Sequence, residues 1–271
     1  MKNRILFLLL VLISIGDAFS ARPFRIATFN IQNFGKSKLL KTEIVDTLSQ
    51  IVRKFDIVAV QEISDISNQT AGEFLKKLNE AGAVYKMALS PRSGRQTDDK
   101  SSGEQYVFYY NSATVALLDT ALYDDSQNDY FQREPWTAQF IRRSDKLSFI
   151  ISTIHTMPER AVEEIDALKY VAKWIPVRFK NAGNVIFCGD FNAGCNYASP
   201  EDLASLEISK LPWYWVISND TKTNLSAKSD CAYDRFVLTK SLRDRVSKWD
   251  VLHYFHSKKV SDHWPVYIEL K

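Results

Sequence analysis

The stretch 185–192, V-I-F-C-G-D-F-N, constrains this chain more than any other. Three apolar residues, a cysteine and a glycine lead into an aspartate and, two residues on, an asparagine. A buried strand therefore ends by presenting two oxygen-bearing side chains, an end that suits a metal ion or a phosphate. Asp190 and Asn192 share a side if the backbone stays extended, and Gly189 lets a ligand approach closely. The same residue types also form ordinary turns after core strands, and on this stretch alone the two readings are level.

The surrounding chain supplies a sheet-rich frame. Residues 24–30 alternate apolar and polar like a half-buried strand. Leu40, Ile44, Leu48, Ile51, Val52 and Phe55 recur at helical spacing, and a short apolar run at 57–60 stops at Gln61 and Glu62, which makes strand, helix, strand. Thr70 with Glu73 has the pattern of a capping box, and Gly82 suits the end of that helix. Runs at 106–110, 114–118, 136–141 and 147–154 read as antiparallel strands, separated by polar loops at 90–103 and 119–134. Pro158 opens a helix with Ile165, Leu168, Val171 and Ile175 on one face, and later strands are expected at 233–238, 249–254 and 266–270. No repeat or linker divides the 271 residues, and 45% hydrophobic composition is enough for a large core. The expectation is an α/β chain with one domain over 21–271, built from two packed sheets flanked by helices.

The first residues differ from the rest. Lys2 and Arg4 precede an apolar run at 5–15, and Ala18 and Ser20 stand at the minus-three and minus-one positions of a cleavage site, the pattern of a secretory signal over residues 1–20. A membrane anchor is the alternative, but the run falls short of the roughly 20 residues a spanning helix needs. A secreted protein, free of the membrane once the signal is removed, is expected. The formal charge is +3, and loss of Lys2, Arg4 and Asp17 leaves +2. So small an excess excludes any argument for nucleic-acid binding from bulk charge; a polyanion site must come from local clustering or bound metal. Of three cysteines, Cys188 lies in the apolar strand and reads as core. Cys195 and Cys231 lie in polar stretches and are the pair expected to bridge in an oxidising compartment, with three free thiols as the alternative.

Polar residues recur where apolar runs end: Asn30, Glu62, His155, Asp190, Asn192, Asp234, and Asp262 with His263. Each alone is an ordinary turn or cap residue, but ends of neighbouring strands converge in space. Carboxylate and amide oxygens from Glu62, Asp190, Asn30, Asn192 and Asp262 suit a hard cation such as Mg2+, and two histidines could move the protons of phosphodiester cleavage. His253 and His256, three apart, would make a metal pair only on a helix, and their aromatic neighbours argue for strand or loop.

In order along the chain stand I-A-T-F-N-I-Q-N-F-G at Asn30, V-Q-E at Glu62, G-E-Q-Y-V-F at Glu104, F-Q-R-E-P at Arg133, I-H-T-M-P at His155, G-D-F-N-A-G-C from Asp190 to Cys195, C-A-Y-D-R at Asp234 and V-S-D-H-W-P at His263. With these the chain resembles the deoxyribonuclease I family of the endonuclease/exonuclease/phosphatase superfamily over essentially all of its mature length. The resemblance implies a four-layer α/β sandwich of two mixed, mostly antiparallel sheets. It implies a monomeric endonuclease that uses Mg2+ or Mn2+ and cuts DNA to 5′-phosphate ends. Glu62, Asp190 and Asp262, with Asn30 and Asn192, would hold metal and scissile phosphate. His155 and His263 would be the acid/base pair, oriented by Glu104 and Asp234, because an imidazole held by a carboxylate keeps its tautomer and gains basicity. Arg133 would contact phosphate, Cys195–Cys231 matches the family's long-range bridge, and Asp125, Asp129 and Glu134 match a structural Ca2+ loop. Two positions depart from the pattern: Ser64 stands where the family has a groove-reading arginine and Ser102 where it has a tyrosine, so weaker dependence on groove shape is expected. A lipid or inositol phosphodiesterase of the same superfamily, or the nuclease subunit of a multi-chain toxin, are the rival readings.

Overall fold

The computed structural model describes residues 22–80, 82–94 and 103–271; the signal segment expected over 1–20 and Ser102 lie outside them. Two six-stranded sheets form the body. The first runs in the order β11 (Val246–Val251), β12 (Val266–Leu270), β1 (Phe24–Phe34), β2 (Ile57–Ile63), β4 (Gln105–Asn111) and β3 (Tyr85–Leu89). The second runs β5 (Val115–Leu122), β6 (Trp136–Arg142), β7 (Ser148–His155), β8 (Val185–Asp190), β10 (Asp234–Thr239) and β9 (Trp213–Trp215). Each sheet holds one parallel pair at its middle, β1 with β2 and β7 with β8, and every other pairing is antiparallel. The two sheets thus share one strand pattern, with corresponding strands at corresponding places, although the sequence shows no repeat. The expected mostly antiparallel mixed sandwich is the fold.

A parallel pair needs a crossover. α1 (Lys36–Leu39) and α2 (Thr42–Val52) supply it in the first sheet, and α4 (Ala161–Arg178) in the second. α2 buries Ile44, Val45, Leu48, Ile51 and Val52, while α4 buries Ile165, Leu168, Val171 and Ile175, the stripe a helix turns towards a sheet. β2 and β8 run apolar without alternation because both of their faces are covered. Between the sheets aromatic rings meet edge to face, Phe108 on Phe140 at 5.6 Å and Phe24 on Phe149 at 6.1 Å, contacts worth about 0.5–1.5 kcal/mol each beyond the area they bury.

Several local expectations are corrected. α3 (Thr70–Asn79) has no capping box: Thr70 is its first helical residue, and Asp65 instead accepts the N–H groups of Gln69 and Thr70, both at 2.9 Å. The 119–134 loop is shorter than expected because β5 pairs with β6 as far as Leu122. Gly189 has a packing reason of its own: a Cβ there would collide with the Ile154 carbonyl of neighbouring β7. The backbone does not stay extended past Asp190, since Asn192 turns left-handed at φ 47°. The Cys195–Cys231 bridge is present, with Cα atoms 5.5 Å apart, and Cys188 is a buried free thiol. His253 and His256 lie exposed in the loop after β11. Among the described residues no helix is long and apolar enough to cross a membrane.

Candidate active site

The topology brings the strand ends together. His155, Asp190 and Asp234 stand in one row across β7, β8 and β10, paired His155 to Asp190 and Asp190 to Asp234. From the facing sheet, β1 and β2 bring Asn30 and Glu62 to the same edge. Glu104 precedes β4 and His263 precedes β12.

Asp190 is the hub. Its Oδ2 accepts from Asn30 Nδ2 at 3.0 Å and lies 3.7 Å from His155 Nε2 and 3.5 Å from His263 Nε2, while its Oδ1 accepts the Asn192 N–H at 3.0 Å. Each imidazole is held from behind: His155 Nδ1 lies 2.9 Å from Glu104 Oε2, and His263 Nδ1 lies 2.8 Å from Asp234 Oδ2. The two Nε2 atoms therefore flank one carboxylate oxygen, too far for strong hydrogen bonds to it. Burial alone would push His263 down, but the charges of Asp234 and Asp190 and the hydrogen bond to Asp234 outweigh it and raise its pKa to about 10. Burial and the Arg133 guanidinium press His155 down, yet Glu104 and Asp190 carry it above the ordinary histidine value. Asp190, pushed up by burial, is held below the usual carboxylate range by the two imidazoles together.

Asn30 lies between the two carboxylates of Glu62 and Asp190. Its Oδ1 is taken by the Gln32 N–H at 2.9 Å, and its Nδ2 reaches both Glu62 Oε1 at 2.8 Å and Asp190 Oδ2. Its nitrogen is presented to the two carboxylates, which it bridges, and its oxygen keeps a second lone pair beside the Gln32 N–H. Asp262 sends its backbone carbonyl to Leu225 N–H, and among the described residues no hydrogen bond joins its carboxylate to Glu62 or Asp190; it contributes charge beside His263 and Lys38. Arg133 faces inward: Nε donates to His155 O at 2.9 Å, Nη2 to Thr156 O at 3.1 Å, and Nη1 lies 3.4 Å from Glu104. With five N–H groups in all, it has only one on each terminal nitrogen left for a phosphate.

Asp190, Asp234 and His263 have ligand atoms within 4.8 Å of one another. Asp234 Oδ2 and His263 Nδ1 are taken by each other, whereas Asp234 Oδ1 is buried without a hydrogen-bond partner among the described residues; Glu62 and Asp190 add two further carboxylates that share the Asn30 amide nitrogen. Asp125 is buried and caps its own loop, accepting the Phe131 N–H at 2.8 Å. Tyr106, Ser261 and Lys38 escaped the sequence reading. Tyr106 OH accepts the His155 N–H, Ser261 Oγ links Asn30 O to the His263 N–H, and Lys38 donates to the backbone beside Asn30. Ser261 was signalled by its place in S-D-H and Tyr106 by its place in G-E-Q-Y-V-F; Lys38 carries no sequence mark.

The model of the "Endonuclease/Exonuclease/phosphatase family" matches residues 27–263. The chain is 34% identical to deoxyribonuclease-1-like 1 of Chlorocebus aethiops, over 93% of this chain and 85% of that protein. It is 33% identical to human deoxyribonuclease gamma, over 100% of this chain and 92% of that protein. Among solved structures, Danio rerio TDP2 complexed with a single-strand DNA product superposes with a TM-score of 0.66 at 17% identity, over 92% of this chain and 99% of that one, a likeness of fold.

Proposed function

Because this chain belongs to the deoxyribonuclease I family, within the endonuclease/exonuclease/phosphatase family, and is a phosphodiester hydrolase, we propose that it is a secreted endonuclease that cuts DNA to 5′-phosphate ends. The observation that carries this reading is the pair of imidazoles, each anchored at Nδ1 by a carboxylate and each turning Nε2 towards Asp190.

A scissile phosphate held between the two Nε2 atoms meets an acceptor on one side and a donor on the other. One histidine, neutral, takes the proton of the attacking water; the other, protonated, gives its proton to the leaving 3′-oxygen. Glu104 and Asp234 fix both tautomers and stabilise the imidazolium forms. Glu62 and Asp190 are the residues to hold Mg2+ or Mn2+, with Asp262 adding charge, and such an ion supplies neutralisation of the phosphoryl oxygens. Asn30 keeps the two carboxylates at their spacing, and Asn192 ties the Asp190 turn to Thr156 O at 3.0 Å. Arg133 braces the Glu104–His155 pair and offers its two remaining N–H groups to the DNA backbone. Secretion, with residues 1–20 as the signal and 21–271 as one monomeric domain, is supported by the Cys195–Cys231 bridge.

The test is nicking of supercoiled plasmid by purified protein, with Mg2+ and with EDTA, followed by ligation of the products without added kinase. Metal-dependent nicking and ligatable ends are expected, with near-complete loss in Glu62→Gln because a neutral amide is a poor Mg2+ ligand. Nicking by Glu62→Gln within tenfold of wild type would remove Glu62 from the metal site.

A further inference from the structure

β1 does not end at Asn30. It continues through Ile31 into Gln32 and Asn33, both left-handed at φ 51° and 50°, and rejoins β2 in shifted register at the Phe34–Ile63 pair. Neither residue is a glycine, so this backbone costs free energy and persists only where something holds it. The kink turns two successive N–H groups inward: Gln32 N–H to Asn30 Oδ1 at 2.9 Å and Asn33 N–H to Glu62 Oε2 at 2.7 Å. In a trans peptide the carbonyl points opposite to the N–H of the same unit. The partners of those two N–H groups are Ile31 O and Gln32 O, and both accept from one atom, Lys38 Nζ, at 2.6 and 2.7 Å. Lys38 is buried, 8% exposed, on the single turn of α1.

We propose that Lys38 is a positioning residue for the metal-binding carboxylate: its ammonium clamps the two peptide units whose opposite ends hold Asn30 and Glu62, and so presets Glu62. The inference rests on the reading of Glu62 as a metal ligand. With Oε1 fixed by Asn30 and Oε2 by Asn33, Glu62 is aimed before any ion arrives. Glu62 is itself left-handed at φ 64°, facing the two left-handed residues whose peptide units Lys38 holds.

Lys38 also lies in the field of Glu62 and Asp262, and a plain counter-charge role makes the opposite forecast. Removing a cation beside a cation site strengthens Mg2+ binding; removing a strut weakens it. The sign decides between them.

The experiment is calorimetric titration of Mg2+ into mature wild type, Lys38→Met, Lys38→Arg and Glu62→Gln, with thermal unfolding in EDTA to confirm that each is folded. Lys38→Met is expected to weaken Mg2+ about 10–100-fold, the usual effect of losing a residue that orients a ligand, with the nicking rate recovering as Mg2+ is raised. Lys38→Arg keeps the charge but replaces a compact ammonium with a planar fork, so it should bind Mg2+ at least about threefold more weakly, and it serves as the test if Lys38→Met does not fold. Binding as tight as wild type in either folded variant, or tighter in Lys38→Met, overturns the proposal. Unchanged binding in Glu62→Gln would instead overturn the reading of the site itself, and the inference with it.

Discussion

Glu164 shows what a single residue can hide. It lies in the first turn of α4, fully buried; Oε1 accepts the Gln132 N–H at 3.1 Å, and Oε2 has no partner among the described residues. Burial pushes its pKa up to about 7, against the opposing pull of the Gln132 N–H and the Arg133 charge. An acid whose folded pKa exceeds its unfolded value of 4.5 keeps its proton longer in the native state, so stability falls as pH rises from about 4.5 to 7 and the full cost is present above that. At about 1.36 kcal/mol per pKa unit the cost reaches about 3 kcal/mol at most. Glu164→Gln removes the titration and keeps an acceptor for Gln132. Its unfolding free energy relative to wild type should therefore rise by about 1–3 kcal/mol between pH 4.5 and 7.5. Denaturant curves that stay parallel across that range would show that Glu164 does not titrate there. The residue was legible in principle: at four residues before Leu168 it falls on the apolar face, but V-E-E-I contains two glutamates and only helical phase separates them.

At the level of elements, apolar runs announced most strands, because a strand covered on both faces has to be apolar throughout. Their ends were less legible: β5 overran its run and β1 continued through its kink, since an end depends on what the neighbouring strand pairs with. β3 and β9 lie at sheet edges, and half-exposed Trp213–Trp215 carries no alternation to read. The cap of α3 was misread for a related reason, as Thr70-x-x-Glu73 fits the local pattern while the working acceptor stands five residues before the helix begins. Burial presses the Asp65 carboxyl up, but the N–H groups of Thr70, Ser67 and Gln69 and the Ser67 hydroxyl hold it well below the ordinary aspartate value. Asp65→Ala should cost about 1–2 kcal/mol, the range for loss of an N-terminal cap. A depressed carboxyl stabilises above its unfolded pKa of 3.8 and loses that contribution as pH falls, so the gap to wild type should narrow below about pH 4. A variant as stable as wild type at pH 7 in thermal melts would return the capping role to Thr70.

On the scale of the whole molecule, three hydrogen-bonded pairs of the site take one partner from each side of the sandwich. Asn30 of the first meets Asp190 of the second, Glu104 meets His155, His263 meets Asp234, and beneath them Gln61 Nε2 donates to Thr153 Oγ1 at 2.8 Å. The sequence named the members of this constellation, yet the pairing came only with the resemblance, because it arises from two sheets meeting face to face and no periodicity within one strand reports that. The site exists only when the sheets dock, so its electrostatics are part of the docking free energy. His263 illustrates the sign: its folded pKa, about 10, lies above the ordinary histidine value of 6.5. The native state thus holds a proton that the unfolded chain releases, and the resulting stability is fully present below pH 6.5 and is lost as pH rises through 10. In EDTA, where no cation competes with the imidazolium, the wild-type unfolding temperature should fall from pH 6.5 to 10 more steeply than that of His263→Asn, which cannot carry the proton. Lysines and tyrosines titrate in both proteins, so only the difference between the two curves reports on the pair. Equal slopes, measured by calorimetry across that window, would mean that the Asp234–His263 contact contributes nothing to holding the two sheets together.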